Sequence, residues 1–91
     1  MHMKVGDTGG YVTAAIAVDG DAARFGLAFC VPGDQFSRKR GRVISEGRLR
    51  VGKDHAISLV AGQRVKSQVA AAIKELVKAG QAPWWAQEAI V

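Results

Sequence analysis

Two runs, Val12-Thr-Ala-Ala-Ile-Ala-Val18 and Ala22-Ala-Arg-Phe-Gly-Leu-Ala-Phe-Cys-Val31, lie on either side of Asp19-Gly20, and their reading decides the fold. Both are rich in residues that suit a pleated surface, and Asp-Gly is a favoured two-residue hairpin loop. A type I′ turn at Asp19-Gly20 pairs Ile16 with Ala23, Ala14 with Phe25 and Val12 with Leu27. Side chains alternate along a strand, so Val12, Ile16, Val18, Phe25, Leu27 and Phe29 share one face, as a buried face requires. The other face carries Tyr11, Thr13, Ala15, Ala17, Arg24, Gly26, Ala28 and Cys30. Apart from Tyr11 and Arg24 these side chains are small and suit a covering layer, so a second element of the same chain is expected there, with a homodimer contact as the alternative.

Downstream, Pro32-Gly33 ends the second strand, and Asp34 is a candidate cap for a helix from Gln35 to Gly47. At 100° per residue, Phe36, Val43, Ile44 and Gly47 form its apolar stripe. Arg38, Arg42, Ser45 and Glu46 then face away, Lys39 sits toward a flank, and Arg40 falls inside the stripe. Such an arginine either snorkels to the surface or pairs with a carboxylate, Asp34 or Glu75. Gly41 and Gly47 each disfavour the helix by about 0.5–1 kcal/mol relative to alanine, so packing or a partner must hold it. Arg48-Leu-Arg-Val51 alternates as a half-buried strand does. A turn at Gly52–Asp54 would pair it with Ala56-Ile-Ser-Leu-Val60, placing Leu49 opposite Ile57 and turning Arg48 and Arg50 to one side. Val65, Val69, Ile73, Leu76 and Val77 recur at helical spacing, with Gly80 as a stop. Ala82-Pro83-Trp84-Trp85 begins a short C-terminal helix.

The expected fold is α+β: a small antiparallel sheet, made of the N-terminal hairpin plus one or two short strands, packed against two main helices and a short C-terminal helix. Ninety-one residues make one domain, 1–91. Met1-His2 reads as a cloning remnant ahead of Met3, which gives His2 no role. With no apolar run long enough for a membrane span and no cationic leader, the expectation is a cytoplasmic protein with no membrane partner.

Charge is concentrated. From Asp34 to Asp54 seven basic residues stand against three acidic ones, +4 of the chain's net +5. Guanidinium and ammonium groups so grouped bind phosphate or carboxylate. Arg38, Lys39 and Arg42 on the helix, joined by Arg48, Arg50 and Lys53, are the candidate surface for nucleic acid (DNA or RNA) or an acidic host protein. The plainer alternative is a solvated helix and a charged edge strand that discourages aggregation. Trp84 and Trp85 cannot point the same way on a helix. One is expected to close the core, and the other to be available for stacking or a partner pocket.

Catalytic chemistry finds little footing. Cys30, the single cysteine, forms no internal disulfide and sits in an apolar run with no histidine nearby in sequence. His55 and the discounted His2 make no metal-ligand cluster with it, and no metal or cofactor is expected. Asp34 and Glu46 are too far apart on one helix to act on one bond. Gly6-Asp-Thr-Gly-Gly10 lacks the strand and helix context of a phosphate loop. The expectation is a protein without enzymatic activity.

The segment Phe29-Cys-Val-Pro-Gly-Asp-Gln-Phe-Ser-Arg-Lys-Arg-Gly-Arg-Val-Ile-Ser-Glu-Gly-Arg-Leu49 resembles a pattern in small phage and prophage proteins, a strand ending in Cys and Pro followed by Asp-x-Phe-Ser-Arg-Lys, Gly-Arg and Gly-Arg-Leu. It spans about a fifth of the chain. The resemblance implies a phage origin and a bacterial host, and an accessory role such as nucleic-acid binding or inhibition of a host enzyme or defence, CRISPR effectors included.

Overall fold

A computed structural model describes residues 1–5, 9–31, 33 and 37–80. Four strands, β1 (His2–Lys4), β2 (Tyr11–Asp19), β3 (Ala22–Cys30) and β4 (His55–Ser58), form one antiparallel sheet in the order β1-β2-β3-β4. Helix α1 (Arg38–Arg50) lies on one face of the sheet and α2 (Val65–Lys78) on the other. The fold class is α+β, as expected. The expected cap Asp34, Phe36 and the C-terminal helix with Trp84 and Trp85 lie outside the described residues.

The central hairpin forms with a register two residues away from the expected one. Asp19 pairs with Ala22, Ile16 with Phe25, Ala14 with Leu27 and Val12 with Phe29. The turn is therefore Gly20-Asp21, and a positive φ occurs at its first central position alone, Gly20 at 60°, the sign pattern of a type II′ turn rather than I′. A shift of two preserves side-chain parity, so the expected faces survive the change. Val12, Phe25 and Leu27 are buried against Val69, Ile73 and Val77 of α2. Completely burying a phenylalanine such as Phe25 contributes about 1.5–3 kcal/mol. Val18, at the hairpin tip, is 55% exposed and takes no part in this core.

Helix α1 covers the small-residue face at Thr13, Gly26 and Ala28, the expected second element of the same chain. A Cβ on Gly26 would lie 2.8 Å from the Leu49 amide nitrogen and closer still to the Ser45 carbonyl oxygen. One on Gly41 would collide with Thr13 Oγ1. Backbone thus rests on backbone, and the helix face against the sheet is Gly41, Ser45 and Leu49. Ser45 is fully buried, its hydroxyl donating to the Arg42 carbonyl at 3.2 Å. The expected apolar stripe is on the wrong side: Val43 is 62% and Ile44 36% exposed. Small residues win the interface because they allow a close approach that branched side chains would block.

Helix α1 also begins and ends later than expected. Ser37 is its N-cap, accepting from the Arg40 amide at 3.2 Å. Its C-terminus is closed at Gly52, where the Lys53 amide donates to the Arg48 carbonyl at 2.9 Å and the Gly52 amide to that of Leu49 at 3.4 Å. This is the Schellman pattern, with Gly52 at φ 80°. Arg48-Leu-Arg50 is accordingly the last turn of α1 and no strand, and the expected second hairpin does not exist. Strand β4 pairs instead with β3, Ile57 opposite Ala23 and His55 opposite Phe25. Helix α2 matches its sequence pattern, with Val69, Ile73 and Val77 buried.

Candidate nucleic-acid interface

Building the site begins with α1. Its thirteen residues carry six cations, Arg38, Lys39, Arg40, Arg42, Arg48 and Arg50, against the single carboxylate Glu46, a net +5. That equals the net charge of the whole chain, so the rest of the sequence is neutral in sum. The first turn contains no acidic residue and three basic ones at the end where the helix dipole is already positive. Such an arrangement raises the local potential and disfavours the isolated helix, while suiting a bound polyanion.

Rotation about the helix sorts these cations. With Gly41, Ser45 and Leu49 inward, Lys39, Arg40, Val43, Gly47 and Arg50 occupy the outward side. Arg40, expected within the apolar stripe, is exposed and joins the outward cations. Among the described residues, the ion pairs are Arg24–Asp54 and Lys78–Glu75. None of Arg38, Lys39, Arg40, Arg42, Arg50 and Lys53 is neutralised by either.

Arg48 is engaged within the fold. Its guanidinium donates to the Leu27 carbonyl of β3, on the side of that strand beyond the reach of β4. Arg48 and Arg50, two residues apart on a helix, diverge by about 200° rather than pointing together. Arg24, on the small-residue face, donates to Asp54 Oδ2 at 2.5 Å and to the Leu49 carbonyl at 3.1 Å. It thereby ties the end of α1 and the following loop to the sheet. The Arg24 hydrogen bond, with the attraction of its charge, holds the Asp54 carboxyl below its ordinary pKa against the opposing effect of burial.

A second cationic group flanks the outer edge of β2. Arg38 and Arg42 of α1, Lys66 of α2 and His2 of β1 line a cleft of about 570 Å³ beside Ala15 and Ile16, and the carboxylate Glu46 lines it with them. His2 Nδ1 is 2.8 Å from Thr13 Oγ1. Burial first, then the neighbouring amino terminus, Arg38 and Arg42, lower the His2 pKa from its ordinary value. Reading Met1-His2 as a cloning remnant left His2 without a role, yet it pairs with Thr13 in the sheet. Lys66 was also missed, because its place across the sheet edge from α1 depends on which face each helix covers.

The six cations chosen from sequence therefore separate. Lys39 and Arg50 face outward, Arg38 and Arg42 overlook the cleft, Lys53 is exposed just past the Schellman turn, and Arg48 is held on the sheet. Arg40 and Lys66 are additions. Trp84 and Trp85, the proposed stacking or interface pair, lie outside the described residues. Among those residues no group of three or more histidine, cysteine, aspartate or glutamate side chains could hold a metal ion. No helix there is long and apolar enough to cross a membrane. No protein-family model, curated protein or solved structure matches this chain.

Proposed function

We propose that this chain is a small phage-type accessory protein, acting in the cytoplasm of a bacterial host, that binds nucleic acid through α1 without catalysing a reaction. The observation that carries the reading is the confinement of the whole net charge to one exposed helix, most of whose cations have no carboxylate partner among the described residues. Binding to phosphates releases condensed counterions, so affinity falls steeply with salt. Fluorescence anisotropy with labelled DNA and RNA oligonucleotides across a salt series tests this. Binding is expected at low salt, and Lys39→Ala and Arg50→Ala should each lower the salt slope on duplex DNA by about 0.9 if each meets one phosphate. No binding at low salt, or binding indifferent to both substitutions, overturns it.

A second reading, inhibition of a host enzyme or defence complex by protein contact, is favoured by one observation. Val43 and Ile44 are exposed on the same basic helix and Val51 just past its C-terminus, and apolar residues ringed by arginine are common at protein interfaces. Retention of a specific host protein from nuclease-treated lysate, lost on Val43→Glu, would replace the first reading with the second.

A further inference from the structure

Gly47 is the glycine of α1 whose presence the fold does not explain. Gly41 is required by Thr13, whereas a Cβ added at Gly47 would meet nothing within 4 Å. Alanine there would suit the helix better. Its neighbours on the outward side are Val43 in the middle of the helix, Lys39 and Arg40 toward one end, and Arg50 toward the other. The outward crest is thus low and uncharged at its centre and cationic at both ends. Among the described residues α1 is also the sole helix on its face of the sheet, where it stands as a ridge.

Those features match the requirements of one nucleic-acid surface. The major groove of B-form DNA, about 12 Å wide, admits a single α-helix, while that of A-form RNA is too deep and narrow. We propose that α1 is a major-groove element and that the preferred partner is B-form duplex DNA. This rests on the nucleic-acid reading above. Gly47 and Val43 approach the base edges, where a valine methyl can meet the thymine methyl. Lys39, Arg40 and Arg50 reach phosphates, and Arg38 and Arg42 extend the contact along the flanking backbone. A thirteen-residue helix is about 20 Å long, which keeps the cationic ends a little over half a duplex turn apart. Charge complementarity and the shape of the crest favour this occupant over an acidic protein surface.

The test compares one 20-base-pair sequence as DNA duplex, RNA duplex and single-stranded DNA, with poly-L-glutamate as a polyanion control, all by anisotropy at one salt concentration. Duplex DNA is expected to bind at least about tenfold more tightly than the other three. Gly47→Leu retains the charge and favours the helix, so it should weaken duplex DNA by about tenfold while leaving RNA unchanged. Circular dichroism of Gly47→Leu establishes that α1 persists, and Val43→Trp, which adds bulk without changing charge, serves as a second blocking variant. Equal binding of DNA and RNA duplexes, tighter binding of single strands or polyglutamate, or no loss in either variant overturns the major-groove assignment while nucleic-acid binding itself stands. Absence of binding to every nucleic acid overturns both.

Discussion

Gly26 of β3 and Ser45 of α1 are in backbone contact, so near that a single methyl on the strand would overlap the Ser45 carbonyl oxygen. This contact sets the height of α1 above the sheet. It also fixes which helix residues face outward, and hence which cations are available to a partner.

Gly26→Ala should destabilise the protein by about 1–3 kcal/mol, the range for forcing extra volume into a packed site. Gly47→Ala, facing open space on the same helix, should be neutral or stabilising by about 0.5–1 kcal/mol. Urea denaturation of the two variants checks the pair. Similar midpoints would contradict the close seating of α1.

Gly41→Ala should also destabilise, because its new methyl would strike Thr13 Oγ1. Replacing Thr13 by alanine removes that oxygen, so the double variant should recover part of the loss. A double-mutant cycle would report a coupling of about 0.5–3 kcal/mol between the two positions. Strict additivity would place Gly41 away from Thr13.

Arg48 and Arg50 should behave differently despite their proximity in sequence. Arg48 donates to the Leu27 carbonyl, so Arg48→Ala should reduce stability by about 0.5–1.5 kcal/mol. Arg50 is exposed with no ion pair to a described carboxylate, and Arg50→Ala should change stability by less than about 0.5 kcal/mol while weakening polyanion binding. Arg40→Ala should follow Arg50, since Arg40 is exposed rather than packed in the core. Paired thermal-melt and anisotropy measurements separate these roles.

Asp54 gives the fold one acid-sensitive tie. Its carboxyl is held below the ordinary value by the Arg24 hydrogen bond, so the contribution is fully present above the unfolded carboxylate pKa of about 3.9. It is lost as pH falls through the lower, folded value. Wild-type protein should therefore lose stability relative to Asp54→Asn as the solution is acidified below pH about 4. Denaturant titrations at neutral and acid pH would show the gap between the two proteins narrowing. A constant gap would remove the tie.

Some of this was readable from residues alone, because it depends on local periodicity. The alternation through Val12, Phe25 and Leu27 determined the two faces of the central hairpin, and even a register shift of two could not exchange them. The spacing of Val69, Ile73 and Val77 determined the buried side of α2. Composition located the basic segment. The orientation of α1 was decided elsewhere. Its inward face is Gly41, Ser45 and Leu49, which has no hydrophobic signature, whereas Val43 and Ile44, which do, lie exposed. That choice follows from a sheet surface of Gly26, Ala28, Thr13 and Ala15, where close backbone approach fills space better than a branched side chain. A Schellman turn at Gly52 then carried the helix through Arg48–Arg50. Sequence determined how much positive charge the helix bears. The shape of the sheet beneath it decided which of those charges face a partner.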